Sequence, residues 1–405
     1  MSISRRFLLK GFSLGSLLGA LPVSVRAAPK LSRGPYEQLG ITPVVNFVGT
    51  HTIIGASKMW EDLHEAAAQA SREYVVLEEL KDKIGARLSA MIGCEDALVT
   101  TGAAGAICLG TCAVLTGTDT QKIRRLPDLT GMKTEVLIQK VHRNGYDHAV
   151  RSTGVKVIEF SSEQELIDGI NAQTAMMYVL GGTSHDFEFE TPVDLKRSLE
   201  IAHRAGVPVM VDAANMLPPW ENIRRLASMG VDLICISGGK HMRGPQCSGI
   251  LAGRRDLVQA AWLNSSPHSD SLGRPMKVGR EEMVTAWLTV EKYSRLDFDA
   301  IDRQCVRQAE YLERELSSVP GLKLERTPVD RTRNVRRVMV RWDEQALGIT
   351  TAEVTRLLMA GTPRIAVGRA RKQGIELTVF MNDPGDEKTA VKRLKEIFKM
   401  IPSRR

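Results

Sequence analysis

The sequence predicts an α/β protein with a seven-stranded, mostly parallel sheet and a smaller C-terminal α+β lobe. Three observations carry that expectation. From residue 97 onward, short apolar runs alternate with stretches of helical periodicity. Residues able to do chemistry, Gly102, Asp212 and Lys240, follow or end such runs, where ligands of open parallel sheets gather. After about Asp299 the texture changes to an amphipathic helix followed by short strand-like segments.

The first 27 residues stand apart. Ser4-Arg5-Arg6-Phe7-Leu8-Leu9-Lys10 precedes a modestly apolar stretch, 11–21, and then Val25-Arg26-Ala27. This resembles a twin-arginine export signal, with cleavage expected after Ala27 or, as runner-up, Ala28. Its apolar stretch is too short for a stable anchor, so the expectation is a soluble periplasmic protein delivered by the twin-arginine translocation machinery. Removing the leader takes away four of the 55 basic residues against 47 acidic ones, leaving a formal charge of +4. That balance gives no sign of nucleic-acid binding. Hydrophobic content of 43% and charged content of 25% are those of a soluble globular chain.

An N-terminal segment, 28–60, leads into a large domain, 61–298. Its apolar runs fall at 97–100, 136–140, 155–160, 175–180, 207–212, 233–237 and 249–252. Helices are expected between them: residues 192–205 carry Val193, Leu195, Leu199, Ile201 and Ala202 at roughly helical spacing before Gly206, and 221–229 ends at Gly230. A long helix starting at Glu281 leads out of this domain. The small domain, 299–405, is read as a helix at 303–316, a turn at Pro320-Gly321, strands at 323–325, 337–342 and 375–380, and a closing helix at 387–400. The cysteines at 94, 108, 112, 235, 247 and 305 show no metal-ligand spacing and are read as free or structural. No metal site is expected.

Two of the run ends carry the chemistry. Asp212 closes Val209-Met210-Val211-Asp212, and Lys240 follows Ser237-Gly238-Gly239, 28 residues later. Singly, an Asp at a strand end is often a helix cap and Gly-Gly-Lys a solvated turn. Together, in a repeating strand pattern, they point to pyridoxal phosphate. The lysine amine can form a Schiff base with the cofactor aldehyde and move protons at substrate carbons, while a carboxylate facing the pyridine nitrogen keeps it protonated. Small residues before the lysine let the backbone pass close to the cofactor. Thr100-Thr101-Gly102-Ala103, a strand end running into an alanine-rich helix, offers backbone N–H groups and a favourable dipole to an anion.

Val211-Asp212-Ala213-Ala214, Ser237-Gly238-Gly239-Lys240 with Gly244-Pro245-Gln246, and Gly273-Arg274-Pro275-Met276-Lys277-Val278-Gly279 resemble the fold-type I pyridoxal phosphate enzymes related to bacterial selenocysteine synthase. The similarity covers most of the chain and is greatest to the branch containing D-glucosaminate-6-phosphate ammonia-lyase. The resemblance implies that Lys240 is the Schiff-base lysine and Asp212 the partner of the ring nitrogen. It places Thr101, Gly102 and Ala103 in the phosphate cup, with a hydroxyl added by Ser237. It also implies a ring over the cofactor, from His142 or its competitor Tyr146, and a closing segment containing Asn46, Thr50 and His51. Arg364 and Arg369 become candidates for gripping a substrate carboxylate, and a homodimer or higher homo-oligomer is expected, with Gly244 and Pro245 near the subunit boundary.

The expected activity is α,β-elimination and deamination of a β-hydroxylated amino acid or amino sugar acid, D-glucosaminate-like, to a 2-keto acid and ammonia. Transamination, racemisation and aldol cleavage are the alternatives at the same carbon. The mature sequence starts almost directly at Gly40-Ile41-Thr42-Pro43, without the separate tRNA domain of the selenocysteine synthases, so selenium transfer is not expected. A non-catalytic ligand-binding protein on the same fold would need neither Lys240 nor Asp212.

Overall fold

The computed structural model describes residues 34–182, 191–326, 335–370 and 373–400. The expected export leader and its cleavage site lie outside the described residues. The chain divides into two units at Pro43/Val44. Of the first, the described part holds one short helix, Pro35–Gln38. All that follows concerns the second unit, which opens with β1 (Val44–Phe47).

Seven strands form the large sheet: β2 (Asp96–Thr101), β3 (Glu135–Gln139), β4 (Lys156–Phe160), β5 (Thr174–Leu180), β6 (Val209–Asp212), β7 (Leu233–Ser237) and β8 (Ser248–Gly253). Their order is β2-β8-β7-β6-β5-β3-β4. Every pairing is parallel except those of β8, which runs antiparallel to both β2 and β7. β2 therefore points the same way as β7, and its carboxyl end reaches the same sheet edge as Asp212 and Ser237.

Burial explains why the central strands read as apolar runs. β6 and β8 are buried at every residue, because helices cover both faces of the sheet. Within a strand, alternate residues serve different cores. Val209, Val211, Ile234 and Ile236 join Leu88, Met283 and Val290 of the helices Leu77–Ile92 and Arg280–Tyr293. Met210, Leu233 and Cys235 join Ile107, Leu109 and Cys112 of the helix Gly102–Thr116 on the other face. Cys108 and Cys112 thus belong to a packed helix face, and all six cysteines are free thiols.

The smaller sheet has five strands in the order β1-β11-β12-β10-β9. They are β1 with β9 (Lys323–Arg326), β10 (Arg337–Arg341), β11 (Arg364–Arg369) and β12 (Ile375–Thr378). Helices Phe298–Leu316, Thr351–Met359 and Asp386–Lys399 supply Leu312, Val354, Leu394 and their neighbours to its core. Two of these strands differ from the sequence expectation. β11 escapes detection because its apolar stretch between Pro363 and Gly368 is only Ile365-Ala366-Val367, too short a run to stand out. β1, assigned from sequence to a separate N-terminal segment, pairs in parallel with β11, Val45 opposite Ile365. Phe47, fully buried, anchors it in the small-lobe core.

Among the described residues no helix is long and apolar enough to cross a membrane.

Candidate active site

Asp212 is the last residue of β6 and is 4% exposed. Such a carboxylate must be held by donors, and three influences oppose the cost of burying it. The Ala214 amide donates to Oδ1 at 3.0 Å, the Tyr178 hydroxyl donates to Oδ2 at 3.0 Å, and Lys240 lends its positive charge. Burial nevertheless dominates, pushing the Asp212 pKa above the usual carboxylate range. Tyr178, itself fully buried in β5, has its phenol pKa driven far upward by burial and by Asp212, so it remains a hydrogen-bond donor.

Lys240 lies in the turn after β7. The backbone there doubles back so tightly that a Cβ on Gly239 would sit 2.4 Å from the Cα of Gln246, a distance only glycine permits. The turn is strapped from outside by residues 52–60. Ser57 Oγ donates to the Gly239 carbonyl at 2.8 Å, Trp60 Nε1 to the Met242 carbonyl at 2.8 Å, and Gln246 Nε2 to the Thr52 carbonyl at 3.2 Å. Arg243, held at the left-handed φ of 58°, stacks its guanidinium over Trp60 at 4.1 Å and donates from Nε to the Lys58 carbonyl. Backbone strain of this kind persists only where surrounding contacts over-determine it, and here they fix the lysine-bearing turn.

The third component is the junction of β2 with the helix Gly102–Thr116. Gly102 opens that helix with φ 67°, a conformation that costs other residues energy. The helix has no side-chain cap at Thr101, which leaves its N-terminal amides to other acceptors. Gly102, Ala103, Asp212, Ser237 and Lys240 all line one cavity of about 620 Å³.

Most of the residues expected from sequence are brought together there, and some are not. Thr50 and His51 also line the cavity, whereas Asn46 folds its side chain onto the amides of Val48 and Gly49 and shapes the turn leading to them. Thr101 lies behind the lining, at the helix cap. His142 is not on the wall: it ends a 3₁₀ turn, is 4% exposed, leaves Nδ1 without a partner, and is kept neutral by burial, with its pKa pushed down to about 4. Its competitor Tyr146 is in the lining, 71% exposed, with Asn144 beside it, and the imidazoles of His51 and His241 line the cavity as well. Arg364 and Arg369 lie at the two ends of β11, both exposed and outside the lining; Arg364 Nε donates to the Met359 carbonyl. The arginine that lines the cavity is Arg337 of β10, paired with Glu376 of β12. Sequence reasoning passed over Arg337, Glu376 and Tyr178 because each sits inside a strand, where a polar residue signals its role only once the facing strand is known.

These residues fit pyridoxal phosphate. A buried carboxylate whose pKa is raised lacks a full countercharge, which a protonated pyridine nitrogen would supply. The uncapped helix N-terminus suits a phosphate, Ser237 can donate a hydroxyl, and Lys240 provides the amine. Among the described residues no cluster of His, Cys, Asp or Glu is arranged to hold a metal ion.

Comparison with known proteins agrees with this geometry. The aminotransferase class-V family model matches residues 160–358. The 5'-C-glycyluridine monooxygenase-decarboxylase of a Streptomyces species is 28% identical over 375 residues, covering 90% of this chain and 92% of its own. The D-glucosaminate-6-phosphate ammonia lyase of Salmonella typhimurium is 29% identical over 379 residues, covering 89% and 97%. Selenium transferases match too, the L-seryl-tRNA(Sec) selenium transferase of Moorella thermoacetica at 24% identity over 71% of this chain and 66% of its own. A solved structure of D-glucosaminate-6-phosphate ammonia-lyase superposes with a TM-score of 0.79 at 26% identity, covering 92% of this chain and all of that one.

Proposed function

We propose that this chain, which has the fold-type I architecture and relatives among the ammonia-lyases and selenium transferases, is a pyridoxal phosphate-dependent lyase acting on a β-hydroxylated amino acid or amino sugar acid. One observation carries the reading: Lys240, Asp212 and the start of the helix Gly102–Thr116 face a single cavity at one sheet edge. In it Lys240 would hold the cofactor, Asp212 the ring nitrogen, and Ser237 with the amides of Gly102 and Ala103 the phosphate. When bound, the cofactor supplies an electron sink next to the substrate's α-carbon.

The protein's own part is proton handling and positioning. Once displaced by the substrate amine, Lys240 Nζ takes the α-proton and returns a proton to the β-hydroxyl oxygen, which leaves as water. The released enamine takes up one water and gives a 2-keto acid and ammonia. The Tyr178 hydroxyl keeps the Asp212 carboxylate aimed by occupying Oδ2. The strapped turn from Ser237 to Gly244 fixes Lys240 on the cavity wall, where it would serve both substrate carbons. The names of two relatives support a β-hydroxylated amino acid: glucosaminate carries its hydroxyl next to the amine-bearing carbon, and so does a glycyl unit joined at C5' of uridine.

The proposal extends to setting. Arg5-Arg6-Phe7-Leu8 would direct the chain to the periplasm by the twin-arginine route, which carries folded proteins and so permits cofactor loading beforehand. A homodimer is the proposed assembly.

Purified holoenzyme incubated with D-glucosaminate and with serine of either hand tests the activity. Release of ammonia with an equal amount of 2-keto acid, and no oxygen uptake, is expected; Lys240→Ala loses the reaction and the borohydride-reducible cofactor adduct together. Oxygen uptake with carbon dioxide release would replace the reading by the chemistry named for the Streptomyces relative. Accumulation of the amine form of the cofactor without ammonia would replace it by transamination.

A further inference from the structure

We propose that the small-lobe wall of the cavity is a subsite for the hydroxyl-bearing side chain of the substrate, read by Arg337, Glu376 and Thr378, and that it selects an uncharged polyhydroxylated amino acid over its phosphate ester. This rests on the lyase reading for the amino acid held at Lys240 and adds what surrounds the far end of that molecule.

Sheet register places the three together. Val338 pairs with Leu377 across β10 and β12, and both are buried in the small-lobe core with Val340 and Ile375. The alternate residues therefore face the other way: Arg337 lies opposite Thr378, and Glu376 is two residues from Thr378 on the same face. All three line the cavity. Arg337 Nε is 3.3 Å from Glu376 Oε1, and the two side chains are 23% and 24% exposed.

Thr378 adds an independent sign of a ligand. It is 4% exposed, yet its Oγ1 has no hydrogen-bond partner. A valine would fill that space without leaving a buried hydroxyl unsatisfied, so the hydroxyl, whose Oγ1 is itself covered, calls for a partner that it meets by turning about χ1 when substrate arrives.

The chemistry of the wall then defines that partner. A guanidinium donates, a carboxylate accepts, and a threonine hydroxyl does both, which matches neighbouring alcohols that each offer one donor and acceptor lone pairs. A phosphate ester is a poor match. It accepts only, it finds the charge of Arg337 already offset by Glu376, and it meets the Glu376 carboxylate as a like charge.

The test follows the visible absorbance of the bound cofactor while D-glucosaminate, its 6-phosphate or D-serine is titrated in, a readout of binding independent of turnover. The wild-type protein is expected to bind D-glucosaminate more tightly than the 6-phosphate. Glu376→Gln should weaken D-glucosaminate and tighten the 6-phosphate by about tenfold, the effect of removing one like charge a few ångströms away in wet surroundings. Thr378→Val should weaken D-glucosaminate about fivefold more than it weakens D-serine, which has no side chain long enough to reach it. Tighter wild-type binding of the 6-phosphate overturns the proposal. So do equal losses for all three ligands in Glu376→Gln, the result if Arg337 grips the α-carboxylate and Glu376 only holds it in place. So does a spectrum that none of the three perturbs. The expected binding pattern without ammonia release upholds the subsite and removes the lyase reading instead.

Discussion

At the scale of the residue, Asp212 combines deep burial with a donor set that leaves room for one more partner. Its Oδ1 and Oδ2 are each engaged by a neutral donor at 3.0 Å, but burial still raises its pKa. A protonated ring nitrogen would convert that penalty into an ion pair, so Asp212→Asn is expected to retain cofactor and lower turnover roughly 10- to 10³-fold, the leverage one opposite charge has on a neighbouring pKa. Retention is read from the protein-bound absorbance and turnover from ammonia release; unchanged turnover would remove Asp212 from the site. His142 gives a prediction of another kind. Its pKa of about 4 lies below the ordinary histidine value of 6.5, so as pH falls the unfolded chain takes up a proton before the folded one. The stability this buried neutral ring allows is complete above pH 6.5 and lost progressively between 6.5 and 4, by an amount on the order of 3 kcal/mol. His142→Gln should flatten that part of the denaturant midpoint against pH; an unaltered slope would assign the acid sensitivity elsewhere. Residue types at run ends made Asp212 and Lys240 legible in the sequence, whereas the inward burial of His142 depends on a 3₁₀ turn that no periodicity announces.

At the scale of the element, the helix Gly102–Thr116 is placed by its neighbour β8. A Cβ on Gly249 would lie 2.2 Å from the Gly102 carbonyl carbon and 2.7 Å from the Ala103 nitrogen, so β8 can pass the helix start only with glycine there. Gly249→Ala is expected to push the helix N-terminus away from the proposed phosphate position. Cofactor should then be lost on dialysis at concentrations where the wild-type protein retains it, with the far-ultraviolet circular dichroism spectrum unchanged. Retention equal to wild type would mean that the loop accommodates the methyl group and does not define the phosphate seat. The central strands of the large sheet were legible because helices cover both of its faces, making runs such as Leu233-Ile234-Cys235-Ile236 apolar throughout, whereas the edge strand β4 is exposed at Lys156 and Glu159. β11 was not, since three apolar residues between a proline and a glycine look like loop. Missing β11 had a direct consequence for the site. Without it, Arg364 and Arg369 looked like arginines near a substrate. Arg337 and Glu376 were missed for a different reason, since their strands were expected but the register of β10 against β12, which turns both toward the cavity, is not written in either run.

At the scale of the whole molecule, the cavity takes its walls from segments far apart in sequence: residues 48–53, the carboxyl edge of the large sheet, and one face of β10 and β12. Lys58 pairs with Asp383, linking the segment that straps the lysine turn to the small lobe. This assembly bears on export. A site built from both ends of the chain exists only after folding, so a cofactor held by Lys240, Asp212 and the helix start can be bound only once the chain has folded. The proposed twin-arginine route, which carries folded protein, would allow loading before transport, whereas a route that threads unfolded chain would leave loading to the far side. Replacing Arg5 and Arg6 together by lysine is therefore expected to leave the protein folded, cofactor-loaded and uncleaved in the cytoplasm, whereas the unaltered chain is found in the periplasm, shortened at Ala27 or Ala28 and already carrying cofactor. Fractionation with absorbance of the purified pools distinguishes these outcomes. Export of the double-lysine variant at the wild-type level would show that Arg5-Arg6 is not a twin-arginine signal, and periplasmic protein lacking cofactor would break the link between loading and transport.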